Sequence, residues 1–164
     1  MAARRRVATA RDPLSPTDCR ARAVRLLMIR SRSREELRRA LELRGFDGAT
    51  IRGTLDDLSR DGSLNETAAL EAFLLGRVGR LSRDRLRREL RQRGFPAPAI
   101  DAALAGVSDD ADRELLERLL AKRSAEVASL PPEKRKRKIF DFLRRRGFGA
   151  AQIFDAMGEE NGRE

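Results

Sequence analysis

Histidine, tryptophan and tyrosine are absent from the sequence, and cysteine occurs once, as Cys19. Because the protein has no imidazole side chain, histidine-dependent catalytic triads and zinc sites that use histidine are excluded. One cysteine can form neither an internal disulfide nor a multi-cysteine zinc site. Cys19 is therefore predicted to be a small, partly buried hydrophobe rather than a nucleophile. So little cysteine is typical of a reducing compartment, and we expect a cytoplasmic protein.

The sequence also lacks the motifs of common catalytic and membrane proteins. No apolar run approaches the length of a membrane span, and there is no Walker loop, dinucleotide-binding glycine motif, EF-hand or nucleophile elbow. The paired carboxylates Asp56-Asp57 and Asp109-Asp110 lie at or near predicted helix ends, where solvation or capping explains them better than metal binding. We therefore predict a protein that is not an enzyme, uses no cofactor or metal, and does not bind a membrane.

The composition is that of a folded, highly basic helical protein. Of the 164 residues, 40% are hydrophobic and 38% are charged, and the formal net charge is +10. Arginine accounts for 32 of the 36 basic residues. A surface this positive attracts polyanions, which include both nucleic acid and the acidic faces of proteins.

The tripeptide Arg-Gly-Phe occurs three times and marks an internal repeat. It occupies residues 44–46, 93–95 and 146–148, so that its glycines are 49 and then 53 residues apart. The residues on either side keep their spacing and apolar character in each copy, which predicts three copies of one structural unit. The matching positions are Ser33, Leu37, Leu41, Ile51 and Leu55 in the first copy, Ser82, Leu86, Leu90, Ile100 and Leu104 in the second, and Ile139, Leu143, Ile153 and Met157 in the third.

Each copy is predicted to contain three helices, because apolar residues recur at helical spacing between short segments rich in glycine, proline and aspartate. One such unit is too small to bury its apolar faces well. We therefore expect an all-α protein whose three tandem three-helix repeats stack into an elongated, curved array, and we expect a monomer. The predicted helices are 17–30, 34–44, 48–60, 66–80, 84–93, 98–107, 111–129, 133–146 and 150–157. The predicted divisions are a disordered basic tail at 1–15, repeats at 16–62, 63–109 and 110–158, and a disordered tail at 159–164.

The repeated tripeptide has a complete structural explanation. A glycine in the left-handed conformation just past a helix lets the next residue pack back on the last turn, as in a Schellman motif. The arginine before the glycine then lies at the helix C-terminus, where the helix dipole favours positive charge. We therefore interpret Gly45 and Phe46, Gly94 and Phe95, and Gly147 and Phe148 as helix caps, with the phenylalanines packing on Leu41, Leu90 and Leu143. Ser33 and Glu36 have the spacing of a capping box.

Positive charge increases along the middle helices of the three copies. Glu35, Glu36 and Glu42 of the first copy correspond to Asp84, Arg85 and Arg91 in the second and to Arg137, Lys138 and Arg144 in the third. Solvation of outer helix faces accounts for single arginines, whereas a run such as residues 134–138 indicates an external anion. The candidate partner-binding residues are Arg34, Arg38, Arg83, Arg87, Arg91, Arg135, Arg137, Lys138 and Arg144.

The aromatic residues argue against the reading of nucleic-acid bases. All seven are phenylalanines. Those that can be placed on helices are expected in the core rather than on the surface as stacking platforms. Contact with a nucleic acid is therefore expected to be electrostatic and to involve its backbone.

The repeats resemble those of the RecX regulators of the RecA recombinase. The resemblance rests on Ser-Arg-x-Glu-Leu-Arg-Arg-x-Leu before the first Arg-Gly-Phe, on Arg-Leu-Arg-Arg-Glu-Leu-Arg-Gln-Arg-Gly-Phe in the second copy, and on a basic helix before the third. It extends over residues 17–157. It implies a regulator without catalytic activity that binds in the groove of the RecA–DNA filament and limits ATP hydrolysis, strand exchange and filament growth. The RecA filament would then be the partner, with single- or double-stranded DNA inside it as a further contact.

A direct, largely sequence-independent DNA-binding protein is the alternative. In that case the middle and last helices of a unit would act as a helix-turn-helix reader. The two hypotheses differ in the affinity for naked DNA, which the alternative predicts to be high.

Overall fold

The computed structural model describes residues 12–161, and this range contains nine α-helices and no strands. The prediction of an all-α protein is confirmed. Residues 1–11 and 162–164, which belong to the two predicted tails, lie outside the described residues. None of the helices found in residues 12–161 is long and apolar enough to cross a membrane. The helices are α1 (Pro16–Ile29), α2 (Arg34–Glu42), α3 (Gly48–Arg60), α4 (Glu66–Leu74), α5 (Arg83–Gln92), α6 (Ala97–Ala103), α7 (Asp109–Glu126), α8 (Pro132–Arg146) and α9 (Ala150–Asn161).

Several helix ends differ from the prediction, since α7 ends at Glu126 rather than near residue 129, and α9 continues to Asn161, so that residues 159–161 are helical and not part of the predicted tail at 159–164. The larger differences are in α4 and α6, which end earlier than the apolar periodicity predicts. α4 ends at Leu74 rather than near residue 80, because the chain then turns through Gly76 and Gly79, which have φ values of +73° and +75°. α6 ends at Ala103 rather than near residue 107, since the amide of Val107 bonds the carbonyl of Leu104 in a tight turn at 3.0 Å. Ser108 then caps α7 by accepting a hydrogen bond from the amide of Ala111.

The chain folds as two compact units. Unit 1 contains the described residues up to Phe73 together with Leu90–Ala99, and unit 2 contains Leu74–Glu89 together with the described residues from Ile100 onward. The second three-helix repeat therefore contributes to both units, and α5 passes from one to the other. Each unit also contains one complete set of three helices, α1–α3 in unit 1 and α7–α9 in unit 2.

Each complete set closes around its own apolar core. In unit 1, α1, α2 and α3 pack around Leu37, Leu41, Ile51, Leu55 and Leu58, all of which are almost fully buried. Cys19 is fully buried in this core, and burial raises the pKa of its thiol, so it stays protonated and unreactive at neutral pH. In unit 2, the helices α7–α9 pack around Leu115, Leu116, Leu120, Val127, Ile139, Leu143, Phe148 and Ile153.

All three Arg-Gly-Phe tripeptides form the same helix cap. The glycines have φ values of +88°, +79° and +102° in chain order. In each copy the glycine amide bonds a carbonyl three residues back, and the phenylalanine amide bonds a carbonyl five residues back, the two bonds of a Schellman motif. The second bond joins Phe46 to Leu41, Phe95 to Leu90 and Phe148 to Leu143, at 3.4, 3.2 and 3.3 Å.

In unit 1, the cap at the end of α5 lies against the beginning of α2. The Ser33 hydroxyl donates to the carbonyl of Arg93 at 2.5 Å and accepts from the amide of Glu36, with which it forms a capping box. A side chain at Gly94 would overlap Cβ and Cγ of Glu35. Gly94 is therefore required both by its backbone conformation and by this close approach of two helix ends.

In unit 2, the cap at the end of α8 lies in the same way against the beginning of α5. The amide of Ser82 donates to the carbonyl of Arg146 at 2.9 Å, and the Ser82 hydroxyl caps α5 by accepting from the amide of Arg85. A side chain at Gly147 would overlap Ser82 Oγ and Arg85 Cβ. One kind of junction thus occurs twice, and each time the tripeptide of a later repeat contacts the capping serine of the repeat before it.

Candidate interaction surface

The candidate arginines of α2 are neutralised within unit 1. Arg34 pairs with Asp56, and its backbone amide donates to Glu66 at 2.9 Å. Arg38 pairs with both Glu35 and Glu42 on its own helix, and the Arg38 Nε to Glu35 Oε2 distance is 2.7 Å. The structure therefore places these two candidates in a balanced network of charges.

Glu35 is held in its ionised form by that network. The hydrogen bonds and positive charges of Arg38 and then Arg39 lower the pKa of Glu35 from 4.5 to about 2. A carboxylate with a depressed pKa stabilises the fold at neutral pH, and this contribution is lost as the pH falls from about 4.5 towards 2.

We expect Glu35→Gln to flatten the acid dependence of unit 1 stability. In the parent chain, amide exchange of α2 should accelerate progressively as the pH falls from about 4.5 towards 2, after correction for intrinsic exchange. In Glu35→Gln this acceleration of amide exchange at low pH should be clearly smaller. Glu71→Gln is the matched control, because Glu71 is exposed and forms no ion pair among the described residues. If both substitutions reduced the acceleration equally, the Glu35 carboxylate would not be the cause of the acid dependence.

The three arginines of α5 differ from one another. Arg83 pairs with Asp109 at 3.0 Å and Arg87 with Asp101 at 2.9 Å, and their side chains are only 28% and 25% exposed. Both are therefore already partnered within unit 2. Arg91 is exposed, and no carboxylate of the described residues pairs with it. The three arginines are spaced i, i+4, i+8 along α5, but only Arg91 presents a charge that no carboxylate of the described residues compensates.

Helix α8 carries a row of exposed cations with little compensation. We call Lys134, Lys136, Arg137, Lys138, Arg144 and Arg145 the α8 cations. All six are exposed, whereas Arg135 is half-buried. Within the described part of the chain their only ion pair joins Arg137 to Asp141, with 3.9 Å between Nε and Oδ2. Arg144 also donates to the carbonyl of Phe148 at 2.9 Å.

The helix dipole acts differently at the two ends of α8, because it favours Arg144 and Arg145 in the last turn and disfavours a cation in the first turn. The helix begins at Pro132 with no side-chain cap, so the positive end of its dipole is compensated only by Glu133. Lys134 lies in this first turn, where a helix disfavours cations. At this end of α8, repulsion between neighbouring cations and the dipole thus both act against folding, and an external anion would relieve both.

An exposed aromatic pair corrects the expectation that the phenylalanines that can be placed on helices lie in the core. Phe154 is 62% exposed and stacks on half-buried Phe140, with 5.2 Å between the ring centroids. Ile139-Phe140 and Ile153-Phe154 are neighbouring apolar pairs, and consecutive residues of a helix point about 100° apart. Each isoleucine is buried, whereas Phe140 lies at the edge of the core and Phe154 is mostly exposed. This pairing was the available sequence signal, but it does not decide the matter, because the consecutive Leu115 and Leu116 are both buried.

The two phenylalanines line a pocket of about 460 Å³ between α8 and α9. Its other lining residues are Glu133, Lys136, Arg137, Met157 and Gly158. No group of three or more residues that could hold a metal ion occurs in the part of the chain that the structure describes. The described surface therefore offers positive charge and an apolar pocket, without a metal centre.

Comparisons with known proteins give a consistent picture. The family models described as "RecX, first three-helix domain" and "RecX, third three-helix domain" match residues 19–58 and 110–157. The chain is 30% identical over 137 residues to the "Regulatory protein RecX" of Amycolatopsis mediterranei (strain U-32), a match that covers 82% of this chain and 78% of that protein.

Two solved structures share the fold. "Crystal structure of RecX from Lactobacillus salivarius" matches with a TM-score of 0.67 and 17% identity, and covers 88% of this chain and 95% of that one. "Crystal structure of regulatory protein RecX" matches with a TM-score of 0.61 and 19% identity, and covers 85% of this chain and 73% of that one.

Proposed function

Because the chain belongs to the RecX family of regulatory proteins, we propose that it is a non-enzymatic regulator that binds the RecA–DNA filament. In this proposal it lies in the filament groove and inhibits ATP hydrolysis, strand exchange and filament growth by RecA, and so regulates DNA repair and recombination. The observation that supports this most directly is the row of uncompensated α8 cations. A filament of protein and DNA presents an extended negative potential, which attracts a row of positive charges.

The candidate residues are expected to contribute unequally to binding. Among the nine candidates, Arg91, Arg135, Lys138 and Arg144 would contribute most, because no carboxylate of the described residues pairs with them. Arg137 would contribute as well, since its one ion pair within the described residues, to Asp141, is long at 3.9 Å. Arg34, Arg38, Arg83 and Arg87 would contribute less, since each would have to exchange an internal carboxylate for an external anion.

The decisive experiment measures ATP hydrolysis by RecA on single-stranded DNA while the protein is titrated in. Binding of the protein to the same DNA without RecA is measured at the same salt concentration, because phosphate contacts depend steeply on salt. We expect inhibition at concentrations well below that of RecA, together with weak binding to naked DNA. Such substoichiometric inhibition would indicate an effect on filament growth.

The direct DNA-binding alternative predicts the opposite pair of results. Hydrolysis would be unchanged, or would be inhibited only when the DNA itself is saturated with the protein. Binding to naked DNA would be tight and would weaken steeply as salt rises. That outcome would overturn the filament proposal.

A further inference from the structure

The pocket between α8 and α9 has apolar walls that the described residues of unit 2 leave uncovered. Phe140 and Phe154 stack on each other, and Met157 lies one turn after Phe154 on α9. Gly158, the next residue along, has no side chain to fill the space. A volume of about 460 Å³ lies within the range of ordinary binding pockets and can hold one or two apolar side chains.

The rim of the pocket is mainly positive. Glu133, Lys136, Arg137 and Phe140 follow one another at i, i+3, i+4 and i+7, so they share one face of α8. The two cations are exposed beside an apolar opening, and among the side chains of residues 12–158 the only carboxylate within ion-pair distance of either is Asp141, 3.9 Å from Arg137. An occupant therefore has to combine apolar surface with negative charge.

We propose that this pocket docks an acidic peptide segment with an apolar anchor side chain. The anchor would lie against Phe140, Phe154 and Met157, while flanking carboxylates pair with Lys136 and Arg137. Hydrophobic anchors in pockets contribute most of the affinity of such contacts, and charges at the rim mainly set specificity and association rate. The proposal does not depend on RecA and holds whichever protein supplies the segment.

Two features favour a peptide over a nucleic acid in this pocket. Glu133 lies at the same rim as the cations, so the rim is not uniformly basic, and the Glu133 carboxylate can accept hydrogen bonds from the backbone amides of a peptide, which a phosphate backbone lacks. Met157 gives one wall a flexible thioether, which adapts to irregular apolar side chains. A stacking site for bases needs flat aromatic faces along a uniformly basic groove instead.

Binding of a synthetic peptide to the full chain tests the proposal. The probe is fluorescein-labelled Asp-Glu-Asp-Leu-Phe-Asp-Glu-Asp, followed by fluorescence anisotropy. A second peptide replaces Leu-Phe by Gly-Ser and keeps the charge, and an oligothymidylate serves as the nucleic-acid probe. We expect the first peptide to bind at least about tenfold more tightly than the second, because only the first has an anchor.

Three variants locate the binding site. Phe154→Ala should weaken binding of the first peptide about tenfold, and the fold should survive because Phe154 is mostly exposed. Lys136→Glu/Arg137→Glu should weaken binding at least as much. Lys134→Glu/Lys138→Glu is the matched control, since it makes the same charge change on a different face of α8 and should alter binding by less than about threefold.

Other outcomes would overturn the proposal. Equal binding of the two peptides, or no effect of Phe154→Ala with circular dichroism unchanged, would show that the pocket is not the site. Loss of oligothymidylate binding in Phe154→Ala, without loss of peptide binding, would identify a nucleic-acid site instead. Since no assay contains RecA, a failure of the filament proposal would leave these results unaffected.

Discussion

Reversing three charges of α8, in the variant Lys134→Glu/Lys138→Glu/Arg145→Glu, is expected to raise the concentration needed for half-inhibition of RecA about a hundredfold. The three side chains share the outer face of the helix, are exposed, and form no ion pair among residues 12–158. They lie outside the pocket between α8 and α9. Reversal replaces three attractions to a negative filament by three repulsions without removing a packing contact. The measurement is ATP hydrolysis on single-stranded DNA at physiological salt.

A control of equal charge separates the position of the cations from net charge alone. Arg25→Glu/Arg52→Glu/Lys122→Glu also reverses three exposed residues that form no ion pair in the described chain, on α1, α3 and α7. We expect it to raise the half-inhibition concentration by less than about fivefold, through long-range field effects that salt screens. An equal increase of the half-inhibition concentration in the two variants would refute a binding surface on α8.

The local features of the fold were predictable from the sequence, because they depend on neighbouring residues. The Arg-Gly-Phe tripeptide places a glycine, then an apolar residue, just past an amphipathic helix, and only a helix cap uses both. Ser33 followed by Glu36 specifies a capping box in the same way. These short-range patterns explain why the three-helix units and their caps were predictable without a structure.

The partners of the charged side chains were not predictable from spacing. Arg83 and Arg87 have the same i, i+4 relation to each other as an exposed stripe would have, yet Asp109 and Asp101 from other helices pair with them. The contact of Gly94 with Glu35 likewise joins residues far apart in the chain. Such contacts depend on how helices pack, and periodicity specifies only which face of each helix is buried.

The second large effect is expected at the glycines of the repeated tripeptide. All three glycines have positive φ, so replacement by alanine lowers the free energy of unfolding by about 1–2 kcal/mol at each site through backbone strain alone. At Gly45 nothing lies within 4 Å of an added Cβ, so this strain is the whole cost. At Gly94 and Gly147 the added Cβ would also overlap a neighbouring helix end, which adds about 1–3 kcal/mol.

We therefore expect Gly45→Ala to lower the free energy of unfolding by about 1–2 kcal/mol, and Gly94→Ala and Gly147→Ala by about 2–5 kcal/mol. Urea denaturation monitored by circular dichroism gives the order of the three effects. Because the units can unfold separately, amide exchange locates each loss. Gly94→Ala should accelerate exchange in α2, and Gly147→Ala should accelerate exchange in α8.

A double variant distinguishes the steric cost from backbone strain. Glu35→Gly removes the atoms that an alanine at residue 94 would overlap, so it should rescue part of the loss caused by Gly94→Ala. It should rescue none of the loss caused by Gly45→Ala, because the two share no such contact. Equal losses at all three glycines, without rescue, would mean that each tripeptide acts only as a local cap. Coupling at Gly94 alone would show that this tripeptide joins one repeat to the next in addition to capping its own helix, a second role that the tripeptide at Gly45 does not have.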